Sequence, residues 1–268
     1  RVDTFVHRLS GLSKLICFLL LTFAVMYSYD IRVILLVMLF SLVVLKISRI
    51  RFAQIRTMVI YVLIFITANA IISFFFSPEY GVEIYGTRHV IAHLFGKVYL
   101  TQEQLLYQAT KLLKYASVIP FGIIFLFTTN PSEFASSLNG VGVPYQAAYA
   151  VALTLRYFPD VQRDYHNISL AQQARGLDLS YKAKLMDRFK NALLIIIPLI
   201  FSTLDRIELI SNAMDLRGFG KGKKRTWYTA KRLNKQDMLA ILISTLIFAG
   251  SLCVSAFINH SRFYNPFI

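Results

Sequence analysis

The sequence predicts an all-α integral membrane protein, with about five main transmembrane helices and a cytoplasmic or interfacial domain of crossed amphipathic helices. Three observations predict this class. The 268-residue chain is 56% hydrophobic and only 16% charged, whereas soluble domains average about 25% charged residues. Several apolar runs approach 20 residues, the length that a bilayer core about 30 Å thick requires. The excess of Lys and Arg over Asp and Glu, 29 against 14, falls mainly in particular connections between these runs, as in membrane proteins.

Five apolar segments are long enough to cross a membrane, with tilt absorbing the differences in length. A short turn at Tyr29-Asp30 separates the first two, and the fourth follows TQEQ at Thr101, which resembles a capping box. In chain order the segments are Leu12–Tyr29, Ile31–Lys46, Arg56–Phe76, Glu103–Phe127 and Asp237–Ile258. Cys17 and Cys253 lie inside apolar runs, so no disulfide framework or zinc site follows.

The basic residues predict the orientation in the membrane. They are frequent before the first segment and between the second and third, and the stretch 129–236 holds 16 of the 29. The connection between the third and fourth segments holds only Arg88 and Lys97. Positive-inside counting therefore places the N-terminus and 129–236 of this multi-pass membrane protein in the cytoplasm. The charge then requires no nucleic acid, and no cleavable signal is expected.

The sequence divides into three parts: 1–128 with four membrane helices, a helical cytoplasmic region at 129–236, and 237–268 with the last membrane helix and a tail. In the middle part, Pro131 suits the first position of a helix after Asn130. We expect a break at NGVGVP, a new helix starting at Pro159, and a kink at Pro198. The apolar stretches 145–158 and 192–204 either lie in the membrane interface or partly cross it.

Two stretches in the middle part share the pattern I-S-x-A-x-x-x-R-G: ISLAQQARG at Ile168–Gly176 and ISNAMDLRG at Ile210–Gly218. Spacing of i, i+3 and i+7 puts three residues of each copy on one helical face. These residues are Ile168, Ala171 and Arg175 in one copy, and Ile210, Ala213 and Arg217 in the other. Glycine after arginine is typical of a helix end in the left-handed conformation. Each copy is therefore predicted to end a cytoplasmic helix.

An Arg-Gly helix end has a purely structural explanation, because a terminal cation complements the helix dipole by about 0.3–1 kcal/mol. It also has a functional one. Arginine pairs bidentately with carboxylates and stays charged when desolvated, so such an end can enter an acidic groove of a partner. Two ends suit a partner with two similar subunits. Small residues on these helices favour a close crossing: Ser169, Ala171, Ser211 and Ala213.

The paired motifs ARG at Ala174–Gly176 and LRG at Leu216–Gly218 resemble the two Ala-Arg-Gly motifs of the transmembrane coupling subunit (T component) of energy-coupling factor transporters. The resemblance extends to TTNPSEFASSLNGVGVP and ALTLRYFPD, and the order of hydrophobic segments fits along most of the chain. Leu216 stands where the family usually has alanine, whereas Arg217 and Gly218 match.

This resemblance implies a non-catalytic scaffold of an ABC-type importer. Family T components join a small membrane substrate-binding subunit (S component) to two cytoplasmic ABC-type ATPases, and each motif docks in one ATPase. The implied docking residues are Ala174, Arg175, Gly176, Leu216, Arg217 and Gly218, and the implied coupling faces carry Ile168, Ala171, Ile210 and Ala213. The implied substrate is a vitamin, a vitamin precursor or a metal ion. No cofactor is expected in this chain, since ATP and Mg²⁺ would bind to the partner ATPases.

Other patterns predict no site. GFGKGKKR at Gly218–Arg225 lacks the spacing and the Ser or Thr of a P-loop, and fits a basic loop at the membrane surface. His89 and His93 are one helical turn apart but have no defined third ligand, so neither a metal site nor a catalytic site is predicted. Asp205 and Glu208 are expected either to be solvated or to pair with Arg206 on their own helix.

Two alternatives remain from the sequence. The first is a permease that binds its substrate itself, although the apolar segments contain few of the polar residues that mark such pathways. The second is a membrane-bound enzyme acting on lipid or prenyl substrates. It would need an acidic metal-binding motif at the membrane edge, and the sequence contains none that we can identify.

Overall fold

The computed structural model describes residues 4–95, 98–177, 185–222, 226–228, 230–259 and 261–266. The chain forms two compact units. We call the first the membrane unit; it consists of Arg1–Asn130 and Lys231–Ile268. The second, the middle unit, is Pro131–Ala230.

The membrane unit is built of helices that lie where the five apolar segments were predicted. Three of them are long and apolar enough to cross a membrane: α4 (Phe52–Phe76), α6 (Gln102–Thr128), and α10 (Lys235–Cys253) together with the π-helical turn after it. Helices α2 (Gly11–Tyr27) and α3 (Ile31–Ile47) have 17 residues each, the lower end of the range for a transmembrane helix. The helices are α1 (Phe5–Arg8), α2 (Gly11–Tyr27), α3 (Ile31–Ile47), α4 (Phe52–Phe76), α5 (Tyr80–Tyr85), α6 (Gln102–Thr128) and α10 (Lys235–Cys253), with the π turn at Val254–Ile258.

The all-α class is confirmed; among the described residues, one small hairpin is an exception. Strands β1 (Val90–Phe95) and β2 (Val98–Thr101) pair antiparallel between α5 and α6. The prediction that His89 and His93 lie one helical turn apart is therefore wrong, because the backbone of β1 is extended. In a strand, residues four apart are separated by about 13 Å, too far for a shared metal ion.

The N-terminus of α6 is fixed by polar contacts that the sequence predicted only in part. The Thr101 hydroxyl accepts a hydrogen bond from the N–H of Gln104, as in a capping box. The Gln104 side chain does not reach back to Thr101. Instead it accepts from the N–H of Gly81 at 2.8 Å and donates to the carbonyl of Ser77 at 3.0 Å. A Cβ at Gly81 would lie 2.6 Å from the backbone of Gln104, so this contact requires glycine.

The core of the membrane unit is apolar, with buried charged groups near the helix ends. Leu21, Val25, Val37 and Phe121 form a buried cluster between α2, α3 and α6. The ammonium of Lys14 donates to the carbonyl of Thr128 at 2.8 Å, and that of Lys114 to the carbonyl of Met26 at 2.6 Å. Each lysine thereby satisfies a carbonyl at a helix C-terminus, where intrahelical donors are missing.

Asp237 connects the start of α10 to the start of α2. It completes a capping box with Asn234 at the start of α10. Its carboxylate also accepts from the N–H of Ser10 at 2.7 Å and from the hydroxyl of Ser13 at 2.6 Å. The start of α2 is thus bonded to the start of α10.

The middle unit contains α7 (Pro131–Gly140), α8 (Tyr145–Ala174) and α9 (Leu185–Leu216). The start at Pro131 is confirmed, and so is the break before α8, where Gly142 has φ 113°. The prediction that Pro159 begins a new helix is wrong, because α8 continues through it. A proline costs one backbone bond, but the remaining bonds and the packing of a 30-residue helix can offset that loss. Neither α8 nor α9 is among the candidate membrane spans of the described chain.

Candidate partner-docking site

The end of α8 is a Schellman motif. Arg175 is the C-cap, and Gly176 follows it with φ 89°. The N–H of Gly176 donates to the carbonyl of Gln173 at 2.9 Å, and that of Leu177 to the carbonyl of Gln172 at 3.1 Å. These two bonds define the motif and satisfy carbonyls that the helix leaves free.

The end of α9 has the same hydrogen-bond pattern. Gly218 has φ 68°, and its N–H donates to the carbonyl of Asp215 at 2.9 Å. The N–H of Phe219 donates to the carbonyl of Met214 at 3.0 Å. The predicted left-handed glycines are therefore confirmed in both copies of the repeat. Because the backbones match bond for bond, Arg175 and Arg217 occupy equivalent positions.

Both motifs lie at the protein surface. Ala174, Arg175 and Gly176 are exposed, and so are Leu216 and Arg217. The side chain of Leu216 is 90% exposed, unusual for an apolar residue of this size. Each helix therefore presents its last turn outward, with a guanidinium at the C-cap position.

Helices α8 and α9 pack against each other in opposite directions. The Arg206 guanidinium donates to the Asp164 carboxylate at 2.6 Å. Further along α8, the side-chain amide of Gln172 donates to the carbonyl of Leu194 at 3.2 Å. Moving toward the end of α8 thus means moving toward the start of α9, so the pair is antiparallel. Of the two alternatives for Asp205 and Glu208, solvation fits, since both are exposed and Arg206 pairs with the other helix instead.

The two Arg-Gly ends lie symmetrically about this ion pair. Asp164 precedes Arg175 by the same number of positions as Arg206 precedes Arg217. That separation is about three helical turns, or about 16 Å along the helix axis. Equivalent positions of the two copies therefore contact each other at Asp164 and Arg206. Arg175 and Arg217 lie at opposite ends of the antiparallel helix pair.

The residues predicted to share the arginine face differ in exposure. Ile168 and Ile210 are half-buried, whereas Ala171 and Ala213 are exposed. Of the four small residues expected at a close helix crossing, Ser169 is buried, whereas Ala171, Ser211 and Ala213 are exposed and do not lie in one. Ile210 lines a largely apolar cavity of about 540 Å³ between α8 and α9, together with residues such as Tyr157 and Met214.

An aromatic cluster supports the end of α9, a feature that the sequence did not predict. The ring of Phe219 packs against Tyr149 and Tyr145, with centroids 4.9 and 5.6 Å away. Trp227 lies 6.2 Å from Tyr149, and its indole N–H donates to the Asn139 side chain at 3.1 Å. The segment after Arg217 is therefore held against α7 and α8. One signal was available in the sequence: an aromatic residue, Phe219, directly follows the second Arg-Gly, whereas Leu177 directly follows the first.

A profile of the CbiQ family, described as "Cobalt transport protein", matches residues 3–228, well over half of the chain. The chain belongs to the CbiQ family. Its similarity to curated relatives also extends along nearly the whole length. The "Energy-coupling factor transporter transmembrane protein EcfT" of Streptococcus equi subsp. equi (strain 4047) is 23% identical over 273 residues, covering 95% of this chain and 94% of the relative.

Two further EcfT proteins show similar coverage. The protein of Streptococcus thermophilus (strain ATCC BAA-250 / LMG 18311) is 25% identical over 252 residues, 90% of each chain. That of Lactococcus lactis subsp. cremoris (strain MG1363) is 25% identical over 260 residues, 91% of this chain and 92% of the relative. This CbiQ-family chain is thus a transmembrane component of an energy-coupling factor transporter, a non-catalytic membrane subunit.

Proposed function

We propose that this CbiQ-family chain couples two cytoplasmic ABC-type ATPases to a membrane S component, and that Arg175 and Arg217 are its docking residues. The observation that carries the proposal is the pair of equivalent Schellman ends, each with an exposed arginine at the C-cap. A helix end that only needed a stop would not require arginine, because glycine alone supplies the left-handed residue.

The chemistry of the two ends suits acidic grooves. Arginine forms bidentate hydrogen bonds with carboxylates and keeps its charge when the contact excludes water. The exposed Ala174 and Leu216 precede the arginines and would contact the apolar wall of such a groove. Opposite ends of an antiparallel helix pair can each meet one of two similar subunits. Gly176 and Gly218 turn the chain away so that the last turn can enter.

Motion would pass through the Asp164–Arg206 contact. When the ATPases bind ATP and close, the two docked ends would be drawn toward each other. Because α8 and α9 are joined about 16 Å from each end, this movement would change the angle at which they cross. Apolar residues of α9 such as Ile200 and Phe201 are exposed, 51% and 63%, and would form the face that holds the S component.

The remaining parts of the proposal follow from the same arrangement. The N-terminus and the middle unit would face the cytoplasm of a bacterial cell, as the basic residues predict. ATP and Mg²⁺ would bind to the ATPases and not to this chain. The substrate delivered by the S component would be a vitamin, a vitamin precursor or a metal ion; the family description names cobalt, whereas the name of the EcfT relatives names no substrate.

Co-purification from the native membrane tests the proposal. The tagged wild-type chain would be compared with a variant carrying Arg175→Glu and Arg217→Glu, and bound proteins would be identified after detergent extraction. Arg163→Glu on α8 and Lys190→Glu on α9 are matched controls, because both residues are exposed basic side chains on the same helices. We expect two ABC-type ATPases with the wild type and the control variants, and their loss from the double variant.

Other outcomes would overturn particular parts of the proposal. Retention of the ATPases by the double variant would show that the arginines serve only as helix ends. Absence of any ATPase from the wild-type complex would contradict coupling. High-affinity substrate binding by the purified chain alone would favour a permease.

A further inference from the structure

A basic pocket lies in the membrane unit, at the turn between α3 and α4. It has a volume of about 310 Å³ and is lined by His7, Ser48, Arg49, Ile50, Arg51, Gln54 and Phe127. The described residues around it thus include two arginines and no Asp or Glu. Both arginines are exposed, so their guanidinium groups are accessible to an anion from outside the protein.

Arg49 adopts a backbone conformation that is unfavourable for arginine. It follows Ser48, the C-cap of α3, and has φ 51°. It is the only non-glycine residue with a positive φ in the described parts of the chain. Glycine is the usual residue at this position after a helix, because a side chain there is strained. Strain of this kind is commonly retained where the side chain has a function.

An apolar cavity of about 260 Å³ is lined by chain neighbours of residues that line the basic pocket. The same three elements line both. Helix α1 contributes Val6 to the cavity and the next residue, His7, to the pocket. The end of α3 contributes Ile47 and Ser48 in the same way, and α6 contributes Phe125 and Phe127. A basic recess and an apolar one are therefore lined in part by the same helices, within a unit that contains three candidate membrane spans.

We propose that the membrane unit binds one anionic phospholipid, with its phosphate on Arg49 and Arg51 and one acyl chain in the apolar cavity. The charge of the pocket selects an anion, and the apolar cavity selects an anion that carries a hydrocarbon chain. The turn between α3 and α4 lies on the side that the basic residues assign to the cytoplasm, where anionic lipids attract basic clusters. The proposal does not depend on ATPase docking, since no residue of the middle unit takes part.

Native mass spectrometry of the purified full-length chain tests this site. Palmitoyl-oleoyl phosphatidylglycerol would be titrated against phosphatidylcholine with the same acyl chains. We expect the first molecule of phosphatidylglycerol to bind more tightly than the first molecule of phosphatidylcholine. Arg49→Gln with Arg51→Gln should weaken it roughly 25-fold, about fivefold for each arginine. Arg56→Gln, which removes an exposed arginine in α4 that does not line the pocket, should leave binding unchanged.

Two further comparisons separate lipid binding from folding and from simple anion binding. Arg49→Gly should raise the unfolding temperature, because it relieves the left-handed strain, and yet weaken phosphatidylglycerol binding. The soluble headgroup glycerol 1-phosphate lacks the acyl chains and should bind at least roughly 100-fold more weakly. Equal binding of the two phospholipids, unchanged binding by the arginine variants, or equal binding of the soluble headgroup would each overturn the proposal.

Discussion

Asp164 and Arg206 occupy equivalent positions relative to the two copies of the repeat, and their side chains lie 2.6 Å from each other. A repeat whose equivalent residues meet has approximate twofold symmetry at the point of contact. The arginines of the two Arg-Gly ends are then equally far from that point, in opposite directions. This symmetry explains how two similar helix ends can serve two similar partners.

Breaking this ion pair should weaken the contact between α8 and α9. Both side chains are partly exposed, 32% and 27%, so we expect Arg206→Gln or Asp164→Asn to lower the free energy of unfolding by only about 1 kcal/mol. ATP-driven transport should fall by more than this small loss of stability explains, because the contact would transmit the movement of the docked helix ends. The exchange Asp164→Arg with Arg206→Asp should restore part of both. If the losses of stability and transport in the exchanged variant equal the sum of those in the two single variants, the two side chains do not interact with each other.

Replacing the glycines at the helix ends should be unfavourable for conformational reasons alone. A Cβ at Gly176 meets nothing within 4 Å, and one at Gly218 meets only the Lys221 side chain at 3.7 Å. We therefore expect Gly176→Ala and Gly218→Ala to cost about 1 kcal/mol each, measured by thermal unfolding. Gly122→Ala, in the interior of α6 with open space around it, is the matched control and should stabilise. A stabilising effect at all three positions would contradict the left-handed ends.

The sequence predicted the features that depend on local physics. The five apolar helices of the membrane unit follow from apolar runs. The helix start at Pro131 and the helix ends at Gly176 and Gly218 follow from the backbone preferences of proline and glycine. The sequence did not predict the contacts of side chains whose partners are distant along the chain. The partner of Arg206 lies on another helix, and the side chain of Gln104 bonds to Gly81 and Ser77, far back along the chain.

The error at Pro159 has a different cause. Proline disfavours a helix locally, but the bonds and packing of the other residues keep α8 continuous through Pro159. The β1–β2 hairpin was missed because HVIAH has apolar and polar residues at spacings that fit a helix as well as a strand, an ambiguity common in short segments. The docking role of the arginines remains a prediction, since it depends on other chains.

The aromatic cluster should matter for only one of the two ends. Trp227→Phe retains a ring but removes the indole N–H that donates to Asn139, so we expect a loss of about 1 kcal/mol in stability. Phe219→Ala removes the ring contacts with Tyr145 and Tyr149 and should cost more. Both changes should weaken ATPase binding through Arg217 and leave binding through Arg175 unaltered. ATPase binding would be measured with each change in an Arg175→Glu background and in an Arg217→Glu background. Equal effects in the two backgrounds would argue that the aromatic cluster does not support the end of α9 in particular.

Asp237 should be important for the stability of the membrane unit. Asp237→Asn weakens the capping box of α10 and the bonds to Ser10 and Ser13. We expect a loss of about 1–3 kcal/mol in unfolding free energy, measured by thermal unfolding in detergent. Lys235→Gln, close by in the first turn of α10 and exposed, is the control and should have little effect. Equal stability of the two variants would mean that Asp237 does not hold the start of α2 to α10.

The most direct test of the central claim is the affinity of a purified ATPase pair for the membrane-embedded chain. Dissociation constants would be measured for the wild type, for Arg175→Glu and Arg217→Glu singly, and for the control variants Arg163→Glu and Lys190→Glu. The account predicts at least roughly tenfold weaker binding for each arginine of the two ends, as expected for loss of a charged hydrogen-bonded contact, and unchanged binding for the controls. Wild-type affinity in both Arg175→Glu and Arg217→Glu would contradict it.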